Sequence, residues 1–98
     1  MFKELDPLLH SQLRLAIMSI LVGAKEADFN FLKEQTQATA GNLSVQIDKL
    51  QQAKYIDVEK TYKGKKPQTI CRVTENGKNA FEQYVLNLKE YQISSDTC

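Results

Sequence analysis

The sequence predicts a mainly α domain with a small β-hairpin (class α+β): a helix, a short extended piece, two helices, two strands and a closing helix. Three observations carry that reading. Apolar residues recur at helical spacing in several separate stretches. The period changes from 3.6 to 2 between residues 55 and 73, then returns to helical after Thr74. Only four glycines and two prolines occur in 98 residues, which leaves little chain for structureless loops.

Asp6-Pro7 reads as a helix start, with the Asp6 carboxylate as N-cap and Pro7 at the first helical position. Leu9, Leu13, Ala16, Ile17, Ile20 and Leu21 follow at helical spacing, and Gly23 stands where a C-cap glycine would end the helix. The first helix is therefore expected over about residues 7–22. Asp28-Phe29 is expected to be briefly extended. Asn30 is expected to cap a short second helix through about Gln37, with Phe31 and Leu32 inward. After a turn at Ala38, Thr39 is the expected N-cap of a third helix over about residues 40–53. Leu43, Ile47 and Leu50 form its apolar stripe, at offsets of 0, 4 and 7. Lys54 follows where a glycine would be usual.

Residues 55–62 then alternate, with Ile56, Val58 and Lys60 on one face and Tyr55, Asp57, Glu59 and Thr61 on the other. Lys63-Gly64-Lys65-Lys66-Pro67 reads as a loop, and residues 69–73 return as a strand with Thr69, Cys71 and Val73 on one side and Ile70 and Arg72 on the other. Thr74 is expected to cap a last helix over about residues 74–91, ~27 Å long. Phe81, Val85 and Leu88 form one apolar stripe on it, and Ala80, Tyr84, Asn87 and Tyr91 a second. Residues 93–98 are expected to fray. A short helix, a tight turn, a second helix and then a hairpin over residues 55–73 make a winged helix-turn-helix.

A chain of 98 residues and 11.2 kDa is expected to form a single domain over residues 1–98. Its 42% hydrophobic and 26% charged residues argue against disorder. Cys71 and Cys98 form no CxxC pair and no disulfide framework, and Cys98 lacks the residues of a prenylation box. The longest apolar run, residues 15–22, is far short of the ~20 residues that span a bilayer, so no membrane partner is expected and the location is expected to be cytoplasmic. No GxSxG, HExxH or P-loop occurs, and His10, the single histidine, reads as a structural residue beside an apolar stripe. No enzyme, metal site or cofactor is expected.

Net charge is only +1, from 13 basic and 12 acidic residues, which taken whole does not point to nucleic acid. The distribution does. Residues 60–72 carry Lys60, Lys63, Lys65, Lys66 and Arg72 and no acid, a local +5 on a remainder of −4. A cationic loop with glycine at its tip suits phosphate or minor-groove contact, although it also fits a solvated turn. On the third helix the face opposite the core stripe holds Gly41, Val45, Asp48, Lys49 and Gln52, flanked by Asn42 and Ser44. Its first turn and a half is uncharged, and Asn42, Ser44, Val45 and Gln46 are of the types that read base edges and thymine methyls. The two features in this order predict double-stranded DNA as partner, through Thr39, Gly41, Asn42, Ser44, Val45, Gln46, Lys49, Lys63, Lys65, Lys66 and Arg72. The spare stripe of the last helix predicts a homodimer, with Phe2, Leu5, Leu8, Tyr84, Leu88 and Tyr91 at the interface. The competing reading is a winged-helix module for protein contact without specific DNA binding.

Leu5-Asp6-Pro7, His10, Arg14-Leu15-Ala16-Ile17, residues 29–36, Thr39-Ala40-Gly41-Asn42-Leu43-Ser44 and Arg72-Val73-Thr74-Glu75-Asn76-Gly77 together resemble the small winged-helix transcriptional regulators of bacteria and archaea, relatives of the MarR and ArsR groups reduced to little more than the DNA-binding domain. The resemblance spans about residues 5–91. It implies a dimeric regulator in which Thr39 caps the recognition helix, Gly41, Asn42, Ser44 and Val45 face the major groove, and Lys63, Lys65 and Lys66 lie in the wing. Lys54 departs from the family's glycine, and the cysteine motif of metal-sensing ArsR proteins is absent. No residue is singled out for a small-molecule effector.

Overall fold

The structure, a computed structural model, describes the backbone of residues 5–96 and the side chains of residues 5–90. It has the expected number, kind and order of elements: α1 Gln12–Ala24, β1 Glu26–Asp28, α2 Phe29–Thr36, α3 Ala40–Gln52, β2 Ile56–Lys63, β3 Lys66–Val73 and α4 Glu75–Asp96. The three strands form one antiparallel sheet in the order β1-β3-β2. Ile17, Met18 and Leu21 of α1, Leu32 of α2, Leu43, Ile47 and Leu50 of α3, Ile56 and Cys71 of the sheet and Tyr84 of α4 make the core, with Leu9.

α1 begins five residues later than expected. Asp6 does cap, but it caps a separate turn: its Oδ1 accepts from the Leu8 N–H at 3.0 Å and its carbonyl from the Leu9 N–H at 3.1 Å. That turn drives Leu9 into the core, fully buried. Ser11 then caps α1, and Gly23 lies inside the helix. The helix ends instead at Lys25 (φ 73°), whose N–H donates to the Leu21 carbonyl, because Glu26 must already be extended to pair with Arg72.

α2 starts at Phe29, capped by Asp28 rather than Asn30: Asp28 Oδ1 accepts from the Phe31 N–H at 2.7 Å. That start corrects the orientation of Phe31. With Phe29 half-buried and Leu32 buried three residues on, Phe31 lies across the helix and is 46% exposed. α3 matches its reading. Thr39 Oγ1 accepts from the Asn42 N–H at 3.1 Å, the stripe Leu43, Ile47 and Leu50 is buried, and the helix ends one residue early, at Gln52. Lys54 has φ 65°, so the left-handed backbone for which a glycine would be usual is kept with lysine.

The hairpin is tighter than a five-residue loop. Lys63 pairs with Lys66 across Gly64-Lys65, and Gly64 alone has positive φ (66°), the pattern of a II′ turn. β3 therefore starts at Lys66 and contains Pro67. β1 stops at the Asp28–Ile70 pair, so Pro67 has a neighbour on one side only, where a missing N–H is tolerated. Within the strands Ile56, Val58, Cys71 and Val73 turn to the core and Asp57, Glu59 and Arg72 share the outer face, as expected; Tyr55, expected on the outer face, lies before the strand and packs half-buried against the core, and Lys60, expected with Ile56 and Val58, is exposed.

α4 is joined to the sheet at Thr74, whose Oγ1 accepts from the Gly77 N–H at 2.9 Å and donates to the Lys54 carbonyl at 2.7 Å. Gly77 is buried, and a Cβ there would lie 2.0 Å from the Tyr55 carbonyl oxygen. This contact sets the rotation of α4. Positions 7 and 10 residues on, Tyr84 and Asn87, fall on the inner face and are buried, while Leu86 points out, 56% exposed. The two stripes are thus corrected: the Tyr84 stripe packs inward and Phe81, Val85 and Leu88 are half-buried beside it. The helix also continues to Asp96, past the expected fraying at residue 93.

Candidate nucleic-acid interface

Two surfaces meet the requirements of duplex contact. The first is the outer face of α3. A helix N-terminus that is capped by Thr39 and carries no acid in its first turn presents N–H dipoles to an anion. Gly41, Asn42, Ser44 and Val45 are exposed on it, Val45 by 49%, and Lys49 is exposed a turn later. Gln46 is half-buried. Its Oε1 accepts from Arg14 Nη1 at 2.5 Å and its Nε2 donates to Asn42 Oδ1 at 3.0 Å. Thr39 is exposed, its hydroxyl oxygen engaged as the cap.

The second is the wing. Lys60, Lys63, Lys65 and Lys66 are all exposed. Among the described residues Arg72 forms ion pairs and none of the wing lysines does, so the wing lysines keep their charge unpaired. Arg72 itself is the exception to the expected set. It lies opposite Asp57 at the base of the hairpin, donating to Glu26 Oε1 at 3.1 Å and to Glu59 Oε1 at 2.7 Å. The hydrogen bonds to Glu59 and Glu26 raise its already high pKa further. Paired surface charges of this kind add little stability, but they cancel the cation. Lys60, Lys63, Lys65 and Lys66 thus stand unpaired on the wing, while Arg72 is held by two carboxylates.

Two residues were overlooked by the sequence reasoning. Tyr62, 73% exposed and next to Lys63, is the most exposed large apolar side chain described. Its signal was an aromatic amid lysines. Arg14 has a signal too: a cation immediately before the apolar run 15–22.

The expected interface residues divide. Leu5, Leu8 and Leu88 are half-buried against the chain's own core. Tyr84 is only 4% exposed, with its hydroxyl 3.2 Å from His10 Nδ1, so its assignment to a partner surface is corrected: it serves the intrachain core. Phe2 and the Tyr91 side chain lie outside the described residues, as does Cys98. An apolar groove of about 330 Å³ between α1 and α4 is lined by Val22, Phe81, Val85 and Leu86, with Glu82.

Among the described residues no three His, Cys, Asp or Glu side chains cluster as a metal site, and no helix is long and apolar enough to cross a membrane. The Cys71 thiol is pushed up to about 11 by burial, with Asp28 adding to the effect, which makes it a poor nucleophile.

Comparison with known proteins agrees with this geometry. A family model for the winged helix DNA-binding domain matches residues 13–92. An uncharacterized protein of Methanocaldococcus jannaschii is 30% identical over 79 residues, covering 81% of this chain and 86% of its own. Among solved structures, a transcriptional regulator homologue from Pyrococcus horikoshii OT3 superposes with a TM-score of 0.85 at 25% identity, over 91% of this chain and 88% of that one. YusO of Bacillus subtilis shares the fold at 16% identity, with a TM-score of 0.74 over 87% of this chain and 60% of its own.

Proposed function

The chain belongs to the winged helix DNA-binding domain family, and we propose that this DNA-binding regulator acts as a sequence-specific homodimer, one domain per chain, in the cytoplasm. In this reading α3 enters the major groove, where Asn42, Ser44 and Val45 meet base edges while Gly41 allows close approach of the backbone. Lys49, with Lys60, Lys63, Lys65 and Lys66 of the wing, contacts phosphates, and Tyr62 lies against the sugar-phosphate backbone. The observation that carries the reading is that four wing lysines stand exposed with no acid of the described chain paired to them.

A two-fold dimer would place two recognition helices about 34 Å apart, one helical turn of DNA. The apolar groove of α1 and α4, with Leu86 exposed beside it, supports such an interface.

The test is a titration against random-sequence duplex at several salt concentrations. Log K should fall linearly with log salt. Replacing Lys63, Lys65 and Lys66 with Ala should reduce that slope by up to about 3 per chain and weaken binding to all sequences alike. A slope near zero for the unmodified protein refutes DNA binding and favours a module for protein contact.

A further inference from the structure

Arg14, early in α1, is half-buried and faces α3. Its Nε–H donates to the Leu8 carbonyl at 2.6 Å, which pins the guanidinium. Its Nη1 donates to Gln46 Oε1, and Gln46 Nε2 donates to Asn42 Oδ1 at 3.0 Å. An amide side chain can present either its oxygen or its nitrogen, and its partners decide which. Arginine is a donor only. Gln46 must therefore turn its oxygen to Arg14 and its nitrogen to Asn42. Asn42 must then turn its oxygen to Gln46. The relay runs in one direction, and what it leaves uncommitted on the exposed Asn42 is the amide N–H₂.

We propose that Arg14, which touches no base, is a specificity-determining positioning residue: through Gln46 it fixes Asn42 as a hydrogen-bond donor toward a base edge. The favoured base presents acceptors in the major groove, guanine O6 and N7 above all, and the disfavoured one presents a donor, the cytosine amino group. This rests on α3 occupying the major groove. A free asparagine could offer either end; this one is set before DNA arrives, so the selection costs no side-chain ordering on binding.

The experiment selects duplexes from a randomised pool with the unmodified protein, Arg14→Lys, Arg14→Gln and Gln46→Glu, after each variant is shown to melt cooperatively. The unmodified protein should favour guanine about tenfold at one base pair per half-site. Arg14→Lys, still donor-only, should keep that preference. Arg14→Gln can accept as well as donate, so the preference should drop below twofold with the salt slope unchanged. Gln46→Glu can only accept, which turns the Asn42 oxygen outward and should move the preference toward cytosine or adenine. Unchanged preferences in Arg14→Gln and Gln46→Glu, or a uniform loss of affinity with the preference intact, overturn the role of Arg14 alone. Absence of duplex binding by the unmodified protein overturns the DNA-binding reading and this inference with it.

Discussion

Replacing Gly77 with Ala sets two effects of opposite sign against each other. Alanine in a helix interior is favoured over glycine by about 0.8–1 kcal/mol. At Gly77, however, the new Cβ would lie 2.0 Å from the Tyr55 carbonyl oxygen, 2.8 Å from its carbon and 2.9 Å from its Cα. All three are backbone atoms at the entry to β2, so no side chain can rotate away. Relief requires the first turn of α4 to move from the strand by about 1 Å or more. Overpacking of this kind costs about 1–3 kcal/mol. The movement also strains the Thr74 N–H bond to the same carbonyl, 3.0 Å, worth about 1 kcal/mol. The steric effect should win by about 1–3 kcal/mol. For a domain of this size, each kcal/mol shifts Tm by about 4–8 °C, so calorimetry should show a fall of about 5–20 °C. Gly23→Ala is the internal control: it is also helical, and a Cβ there meets nothing within 4 Å. Its Tm should rise by a few degrees. A Tm for Gly77→Ala equal to or above the unmodified protein's refutes the close approach and the account of α4's rotation built on it.

Lys54→Gly should raise Tm by a few degrees: it removes the left-handed strain of a side chain at φ 65°, about 1 kcal/mol, offset in part by the freer unfolded chain. Stability should decline at alkaline pH. The Tyr55 phenol is raised from 10.0 to about 12 by burial and by its hydrogen bond to Asp6, and the Cys71 thiol from 9.0 to about 11 by burial. Both groups hold their protons longer folded than unfolded, so their stabilisation is complete below about pH 9 and is lost between pH 9 and 12. Melting curves across that range should show a shallower decline for Tyr55→Phe. Arg72→Ala should change the salt slope of DNA binding by much less than any wing lysine does, because its charge is already cancelled. Light scattering at micromolar concentration should give twice the chain mass, and Leu86→Glu should shift it toward the single-chain value without lowering Tm by more than a few degrees.

Local chemistry wrote most of this fold into the chain. Thr39 caps α3 because its hydroxyl accepts from a neighbour three residues away, and the stripe Leu43, Ile47 and Leu50 is set by helical pitch. The alternation in residues 56–63 likewise puts Ile56 and Val58 inward whatever packs against them. The components of the proposed site are local in the same way: the uncharged first turn and a half of α3 and the cluster of lysines each lie in one short stretch of chain.

What neighbouring residues could not settle is where long-range partners outbid local ones. Asp6-Pro7 has the chemistry of a helix start, yet Ser11 begins the helix, since only a separate turn carries Leu9 into the core. Both stripes of α4 are apolar enough to be buried, and the choice fell to Gly77 against the Tyr55 carbonyl, 22 residues back in the chain. Arg72 reads along the chain as a wing cation, but folding sets Glu26, 46 residues away, beside it. Arg14 has its partner only because folding brings Gln46 of α3 to it across 32 residues. Pitch and capping act within a few residues and can be read along the chain. Rotation of a helix, pairing of a charge and the orientation of an amide depend on atoms that only folding brings together.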